Sequence, residues 1–177
     1  MKAASKQNKA PVLAVVALGS NLGDSRHVIV EALAQLEKLS AGPLLKSSLW
    51  QTSPVDCPPE SPRFVNAVAG VTVPAGETPE SLLAKLQALE QEFGRRPKLV
   101  LNEPRPLDLD LIAFGAETRK GAKLILPHPR AHQRRFVLQP LAEIAPELVL
   151  PGQRKSVIDL LIGLPAGEEV EWVSSPK

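Results

Sequence analysis

Hydrophobic and polar residues alternate most regularly around Asp108 and Asp110. In a β-strand successive side chains point to opposite faces, so Leu107, Leu109 and Leu111 share one face. The two aspartates then share the other face, whereas on a helix they would lie on nearly opposite sides. The pattern therefore predicts a strand with one apolar face and one acidic face.

Two aspartates on one strand face have a cost, because like charges repel and Asp is depleted in strands. A divalent cation would remove that repulsion. With a rise of about 3.3 Å per residue, the two Cα atoms lie roughly 6 to 7 Å apart. Such a pair can converge on two Mg²⁺ ions about 4 Å apart, as in two-metal phosphoryl-transfer sites. The strand alone leaves a second interpretation open, a solvent-facing strand whose aspartates bind nothing.

The remaining periodicity predicts further strands and helices before and after the acidic strand. Strands are predicted over 12–18, 44–52 and 64–73, long helices over 25–39 and 79–93, and shorter elements over 123–126, 136–144 and 156–161. The order strand, helix, strand, strand, helix, strand is that of a ferredoxin-like α+β sandwich, with extra C-terminal helices. This architecture does not assign a function, because many enzymes and RNA-binding modules share it.

The length of 177 residues predicts a single domain with a proper core. We expect a mobile polar tail over 1–10, one domain over 11–165, and a tail over 166–177 with nothing ordered or chemical after Pro165. The apolar run after the lysine-rich start is too short for a secretory signal. The single cysteine fits a reducing cytosol, so we expect a cytoplasmic protein. We interpret Cys57 as a surface thiol without function.

The charge balance is nearly neutral, at +2 with 21 basic and 19 acidic residues. No global field therefore favours nucleic acid or a membrane as a partner, and we expect small-molecule substrates and a monomer. Local charge is more informative. The loop 95–105 has four cations immediately before the acidic strand, and 127–136 contains two histidines and three arginines. Cations beside carboxylates suit a polyphosphate carried by Mg²⁺, which favours the metal interpretation.

A proline-rich segment over 53–63 precedes the strand that begins at Phe64. Loops of this length in compact domains are often functional lids. Phe64 and Asn66 share one face of the following strand. They could form a stacking plate and a hydrogen-bonding group for a ligand, or a polar position at a sheet edge, and the local pattern does not separate the two. The turn 19–24 is interpreted as a plain connection from strand to helix.

Four motifs in order resemble the 6-hydroxymethyl-7,8-dihydropterin pyrophosphokinases of folate biosynthesis. They are Ala17-Leu18-Gly19-Ser20-Asn21-Leu22-Gly23, Phe64-Val65-Asn66-Ala67, Pro104-Arg105-Pro106-Leu107-Asp108-Leu109-Asp110 and Pro127-His128-Pro129-Arg130. The likeness covers nearly all of 15–151 and is extended by Phe136-Val137-Leu138 and by the run from Pro140 to Pro146. Each motif alone is weak, whereas the ordered set is specific.

The resemblance implies an ATP-dependent diphosphotransferase that moves the terminal pyrophosphate of ATP to the pterin hydroxymethyl group and releases AMP. By the same resemblance, Asp108 and Asp110 hold two Mg²⁺ ions, and Arg95 and Arg105 are loop cations that assist transfer. The implied pterin contacts are Thr52, Ser53, Val55, Phe64, Asn66 and Phe136. The implied ATP contacts are Gln87, Glu90, Lys123, His128 and Arg134.

The sequence departs from the family pattern in the basic loop. Many members have Arg-Trp-Gly-Pro-Arg where this chain has Leu101-Asn102-Glu103-Pro104-Arg105. The chain lacks a cation and a tryptophan there and adds an acid, so we expect loop closure and turnover to differ from those of such members and the reaction to be the same. Whether Arg96 or Lys98 contacts phosphate is left open. Two other classes were weighed. An RNA-binding module would need a basic, aromatic-rich sheet, and a Mg²⁺-dependent phosphohydrolase would leave Phe64, Asn66 and Phe136 without a purpose.

Overall fold

The structure is a computed structural model that describes residues 11–54, 56–97 and 103–176. Four predictions fall outside the described residues. They concern the polar tail over 1–10, the pterin contact of Val55, the phosphate contact of Lys98, and the unusual loop sequence at 101–102.

Within the described residues, the central sheet has six strands, and all the pairings among them are antiparallel. They are β1 (Leu13–Ser20), β2 (Leu45–Lys46), β3 (Leu49–Thr52), β4 (Phe64–Thr72), β5 (Asp108–Phe114) and, at the C-terminal end of the chain, β8 (Val170–Ser174). Their order is β5-β1-β4-β3-β8, with β2 also paired to β4, while β6 (Arg119–Lys120) and β7 (Ile125–Leu126) form a separate hairpin. The β5-β1-β4-β3 order confirms the predicted ferredoxin-like α+β fold.

Two long helices follow β1 and β4, and two shorter ones follow β7. They are α1 (Ser25–Leu39), α2 (Pro79–Glu92), α3 (Arg135–Ile144) and α4 (Val157–Ile162), with one 3₁₀ turn at Ala131–Gln133. Each of the long helices begins at a side-chain cap. Asp24 accepts from the His27 N–H, and Thr78 and Ser81 form a reciprocal capping box before α2. Both starts agree with the sequence. None of the helices in the described ranges is long and apolar enough to cross a membrane.

The sheet separates two hydrophobic clusters. One contains the apolar stripes of α1 and α2, including Leu36 and Leu86, and receives Ala67 and Val71 from β4. The other contains α3 and α4 and receives Val68 from the opposite face of the same strand. Alternate residues of β4 therefore enter different clusters, as the period of a strand requires.

The predicted strand 44–52 is interrupted in the structure. Ser47 is fully buried, and its hydroxyl accepts from the Val68 N–H while donating to the Ser48 carbonyl. The Ser48 N–H donates to the carboxylate of Glu143. These side-chain bonds replace part of the regular ladder, which divides the strand into β2 and β3.

The prediction that nothing is ordered after Pro165 is wrong. Strand β8 pairs with the edge of β3, with Trp172 opposite Trp50 and Val170 opposite Thr52. Its residues are half-buried or exposed. The alternation of apolar and polar residues that predicts a core strand is therefore weak in this segment. Pairing with an open edge orders the segment, because that edge presents unpaired N–H and C=O groups.

Candidate active site

Three neighbouring strands change from apolar to polar residues at the same end of the sheet, on the face that packs on α3. Gly19 on β1 lies opposite both Asn66 on β4 and Asp108 on β5. Two residues further into the sheet, Ala17 lies opposite Val68 and Asp110. The antiparallel register therefore brings the amide and the carboxylates of separate sequence motifs to one place.

A cavity of about 410 Å³ opens at this end of the sheet. Its lining includes the strand residues Gly19, Thr52, Phe64, Asn66, Asp108 and Asp110, together with Ser53, Arg105, His128, Arg134 and Phe136. Phe64 begins β4, and Phe136 lies in the first turn of α3. Both residues are half-buried and line the cavity. We call this space the aromatic cavity.

The polar group of the aromatic cavity is Asn66, which is 5% exposed. Its Nδ2 donates to the hydroxyl of Thr52 at 2.7 Å. A Cβ atom at position 19 would lie 3.2 Å from the Asn66 Oδ1 and 3.7 Å from the Phe64 ring. Glycine at that position therefore leaves the amide and the ring their space.

A second cavity of about 460 Å³ lies beside the first. Gln87, Glu90 and Gln91 of α2 line it, together with Arg95, Arg96 and part of β5. We call it the α2 cavity. Among the described residues that line either space, Asp108 and Asp110 are shared by both. The acidic pair thus lies at the junction of the two cavities.

Both oxygens of Asp108 are bound by guanidinium groups. Arg95 donates to Oδ1 at 3.0 Å, and Arg105 donates to Oδ2 at 3.1 Å. Arg95 also forms an ion pair with Glu90. The two arginines that the resemblance implicated in transfer are therefore held directly on one of the implied metal ligands.

Asp110 is in a different state. Burial, together with the negative charge of Asp108, raises the pKa of Asp110 to about 6, and nearby arginines offset this only in part. The shift means that the ionised carboxylate is disfavoured at its position. A cation bound at this point would reverse that effect.

The acidic strand is fixed from the side by Glu90. This residue is 5% exposed, and its Oε1 accepts from the backbone N–H of Leu109 at 2.7 Å. Burial raises the pKa of Glu90, while the bond from Leu109 and the charge of Arg95 oppose the rise. Glu90 therefore ties α2 to the residue between the two aspartates, in addition to lining the α2 cavity.

The turn after β1 does more than connect a strand to a helix. Asn21 accepts from the Arg105 N–H at 2.9 Å through its side chain and donates its own N–H to the Arg105 carbonyl at 3.2 Å. Its Nδ2 also donates to the Pro62 carbonyl at 3.3 Å. The plain-connection interpretation of this turn is therefore incomplete, because Asn21 holds both the basic loop and the proline-rich segment.

Burial lowers the pKa of two basic residues near the start of α3, His128 and Arg134. Burial, aided by Arg134 and Arg130, lowers the pKa of His128, which favours the neutral imidazole at neutral pH. The Arg134 guanidinium carbon lies 5.4 Å from the centre of the Phe136 ring. This distance is within the range of a cation–π contact, so the cation also restricts the ring.

The structure gathers most of the residues implied for the site, but not all. The aromatic cavity contains Thr52, Ser53, Phe64, Asn66, Phe136, His128, Arg134 and Arg105, and the α2 cavity contains Gln87, Glu90 and Arg95. Lys123 is exposed on the loop before β7 and lines neither cavity. Its ATP contact stays a prediction.

Sequence reasoning missed several residues of the aromatic cavity. Asp56, Cys57, Gln133 and Glu168 all line it. Cys57, interpreted from the sequence as a surface thiol without function, is half-buried and lines this cavity. Asp56 and Cys57 lie in the proline-rich segment 53–63, and its interpretation as a lid could have pointed to them. No pattern in the sequence pointed to Glu168.

The family model for 7,8-dihydro-6-hydroxymethylpterin-pyrophosphokinase matches residues 15–146 of the chain. The chain belongs to this family. A pyrophosphokinase of Synechocystis that acts on 2-amino-4-hydroxy-6-hydroxymethyldihydropteridine, according to its name, is 40% identical over 84% of this chain and 74% of that protein. The Pseudomonas aeruginosa protein of the same name is 43% identical over 78% of this chain and 84% of its own length.

Solved structures agree at the level of the fold. Wild-type Plasmodium falciparum HPPK-DHPS with pteroate matches with a TM-score of 0.65 and 14% identity, over 86% of this chain and 42% of that one. The chain thus spans less than half of that solved protein. Membership of the family confirms the predicted transferase, a pyrophosphokinase of folate synthesis with ATP as its co-substrate.

Proposed function

We propose that the aromatic cavity binds 6-hydroxymethyl-7,8-dihydropterin, that ATP lies along the α2 cavity, and that Asp108 and Asp110 hold two Mg²⁺ ions between them. The observation that supports this assignment is the shared lining: the acidic pair borders both spaces. A group transferred from one substrate to the other must cross that border.

The donor set fits Mg²⁺, which prefers carboxylate oxygen and binds through one or two carboxylates together with substrate phosphates and water. Among the described residues, no group of three or more His, Cys, Asp and Glu side chains could form an all-protein metal site. The two carboxylates and the phosphate oxygens of ATP would therefore together supply the ligands of Mg²⁺. When bound, the ions would neutralise the phosphate charge and acidify the attacking hydroxyl.

The pterin is held by its flat faces and by one polar edge. Phe64 and Phe136 stack on the ring, while Asn66 and Thr52 bond its polar edge. Because Asn66 is nearly inaccessible and already bonded to Thr52, its amide has little freedom to turn. This fixed orientation favours a heterocycle whose donors and acceptors match it.

The transfer step forms a bond between the hydroxymethyl oxygen and the β-phosphorus of ATP and breaks the bond from that phosphorus to the bridging α,β oxygen. The O–H bond of the hydroxymethyl group also breaks, and its proton is released to solvent. AMP leaves with that oxygen. The residues of the chain act by position and charge, since phosphoryl transfer needs little covalent help. The guanidinium groups of Arg95 and Arg105 are close enough to Asp108 to reach phosphate oxygens beside it. We infer that they exchange Asp108 for phosphate when MgATP binds.

The ATP contacts of Gln87, Glu90, His128 and Arg134 belong to the same proposal. A largely neutral His128 can accept or donate one hydrogen bond to a phosphate or ribose oxygen without adding charge. The cytoplasmic location and the monomeric state stay predictions.

The experiment that tests the function is to incubate the purified chain with MgATP and 6-hydroxymethyl-7,8-dihydropterin and to identify the nucleotide product. The proposal expects AMP in a 1:1 ratio to pyrophosphorylated pterin, and no AMP when pterin is left out. Release of ADP or free phosphate without dependence on pterin would contradict it and favour a phosphohydrolase.

A further inference from the structure

The C-terminal segment that leads into β8 contributes a side chain to the aromatic cavity from outside the family-matched range. The family model matches 15–146, whereas Glu168 lies just before β8 and lines the cavity together with Phe136 and Arg134. Its position is set by the pairing of β8 with β3, which begins at Val170 opposite Thr52. The C-terminal segment therefore closes one wall of a site whose other walls come from the core of the fold.

The Glu168 carboxylate supplies the hydrogen-bond acceptor that the start of α3 lacks. The N-cap residue of α3 is Arg134, which makes no side-chain capping bond. The first N–H groups of a helix have no partner within the helix. Glu168 Oε2 accepts from the N–H of Arg135, the first residue of α3, at 2.9 Å. A carboxylate at this end is also favoured by the helix dipole.

The capped turn is the one that carries the aromatic wall. Arg134 immediately precedes Arg135, and Phe136 immediately follows it. The Arg134 guanidinium lies over the Phe136 ring, so a shift in this turn moves both groups. Anchoring the Arg135 N–H therefore sets where the stacking ring and its cation lie.

The segment is tied to the opposite wall as well. Glu171 forms an ion pair with Arg63 at 3.1 Å, and the Ser53 hydroxyl lies 3.4 Å from the Glu169 carboxylate. Both partners belong to the proline-rich segment. Since residues 168–171 contact both α3 and the proline-rich segment, they connect these two walls of the aromatic cavity.

We propose that Glu168 is a positioning residue for the pterin: it caps α3 from outside the helix and so fixes Phe136 for stacking. This inference rests on the proposed function, because it assumes that the aromatic cavity binds pterin. It also assigns the C-terminal strand a role in substrate affinity.

The test measures the affinity for 6-hydroxymethyl-7,8-dihydropterin by calorimetry, in the presence of Mg²⁺ and the α,β-methylene analogue of ATP. Glu168→Ala is expected to weaken binding roughly 3- to 10-fold, the range that loss of a helix cap can produce. Glu168→Gln keeps an acceptor oxygen and is expected to bind within about twofold of the unmodified chain. Glu147→Ala removes an exposed carboxylate elsewhere and is the matched control.

A second pair of variants removes the donor instead of the acceptor. Proline is well tolerated at the first helical position but has no N–H, and the extended backbone of Arg134 (φ −109°, ψ 113°) suits a residue that precedes proline. Arg135→Pro is expected to weaken pterin binding as much as Glu168→Ala does, relative to Arg135→Ala. Adding Glu168→Ala to Arg135→Pro should then cause no further loss.

The outcomes separate the inference from the function on which it rests. If Glu168→Ala lowers the melting temperature but leaves pterin affinity unchanged, the residue is structural only and the inference is overturned. If Glu168→Ala does not fold, equal affinities of Arg135→Pro and Arg135→Ala overturn it instead. If the unmodified chain itself does not bind pterin, the proposed function fails, and this inference fails with it.

Discussion

The two faces of the sheet differ in how far the core extends along them. Nineteen described residues form the cluster on the α1 and α2 side, and twelve form the cluster on the α3 and α4 side. On the first side, the core extends along β4 from Ala67 to Val71, and Val65 at the outer end is partly buried against it. On the second side, the core stops at Ala17, Val68 and Ile112, and the positions beyond it on each strand are polar or open. The residues on the first face stabilise the fold. On the second face, one end of each strand is part of the core and the other end lines the cavities.

This difference shows how a site can be built without irregular strands. In β4, Val68 is core while Asn66 and Phe64 line the aromatic cavity. In β5, Ile112 is core while Asp110 and Asp108 line it. The buried end of each strand holds its exposed end in register, so the functional groups are fixed by packing that lies one or two residues away. Substitutions on the two faces should therefore have separable effects.

The largest expected effect is on turnover, at the acidic pair. Asp108→Ala and Asp110→Ala should each lower kcat at least about 10³-fold, the scale of losing a main electrostatic group of a transition state. Both variants should still fold, because neither carboxylate is part of an apolar cluster. Asp159→Ala, a change on the exposed side of α4, is the control. Retention of more than a tenth of the activity by either variant would contradict the role of the pair.

The next largest expected effect is on the free energy of unfolding, and it allows the two hydrophobic clusters to be compared directly. Leu36 and Leu138 are both fully buried, on opposite sides of the sheet, and replacement of either by Ala should lower the free energy of unfolding by about 2 to 5 kcal/mol. Only Leu138→Ala should also weaken pterin binding, since α3 carries Phe136. Chemical denaturation and pterin titration below the unfolding transition measure the two quantities. Equal pterin affinities in both variants would mean that the faces are not functionally distinct.

Changes in the two arginines on Asp108 should affect rate more than affinity. Arg95→Ala and Arg105→Ala should each lower kcat by about 10²-fold, comparable to loss of one donor to a developing charge, with smaller changes in the KM for ATP. Steady-state kinetics at saturating pterin separate the two parameters. A rise in KM with an unchanged kcat would instead make these arginines anchors of the ground state.

The aromatic plates should give a smaller and substrate-specific effect. Phe64→Ala and Phe136→Ala should each weaken pterin binding by about 1 to 3 kcal/mol, as loss of one stacking partner does. ATP affinity should be nearly unchanged. Phe93, which follows α2 and packs on the other cluster, provides the control through Phe93→Leu. If pterin and ATP affinity fell equally, the rings would be structural and not stacking groups.

The smallest expected effect is the pH dependence of stability at Asp110. Because its folded-state pKa is raised to about 6, the folded chain binds this proton more tightly than the unfolded chain does. The carboxylate therefore costs stability above pH 6, and that cost disappears as the pH falls from 6 towards 4. Asp110→Asn should raise the free energy of unfolding by up to about 3 kcal/mol at pH 7.5 and leave it nearly unchanged at pH 4. Denaturation without Mg²⁺ at both pH values measures this, and a pH-independent difference would contradict it.

The core of the site could be predicted from the sequence because strands have a fixed period. Alternation alone predicted that Asp108 and Asp110 share one face of their strand, and that Phe64 and Asn66 share one face of theirs. Regular strand pairing then brings the two pairs of side chains to the same face of the sheet. The order of elements gave the ferredoxin-like fold for the same reason. Identification of the aromatic residue on α3, Phe136, needed the family resemblance, because a helix period does not say which end meets a cavity.

What the sequence could not predict depends on contacts between distant segments. Asn21 meets Arg105 across 84 positions, and Glu168 meets Arg135 across 33. Neither bond has a local signature, since each joins a side chain to a backbone group of another element. The break between β2 and β3 has a similar origin, because it depends on Ser47 finding the backbone of Val68. Local patterns predict elements, whereas these bonds depend on how the elements meet.

The most direct test of the central claim is a crystal structure with 6-hydroxymethylpterin, the α,β-methylene analogue of ATP and Mn²⁺ in place of Mg²⁺. We expect two anomalous peaks about 4 Å apart, within direct coordination distance of Asp108 and Asp110, with the pterin between Phe64 and Phe136 and the adenosine along α2. Anomalous peaks away from the acidic pair, or a pterin outside the aromatic cavity, would contradict it.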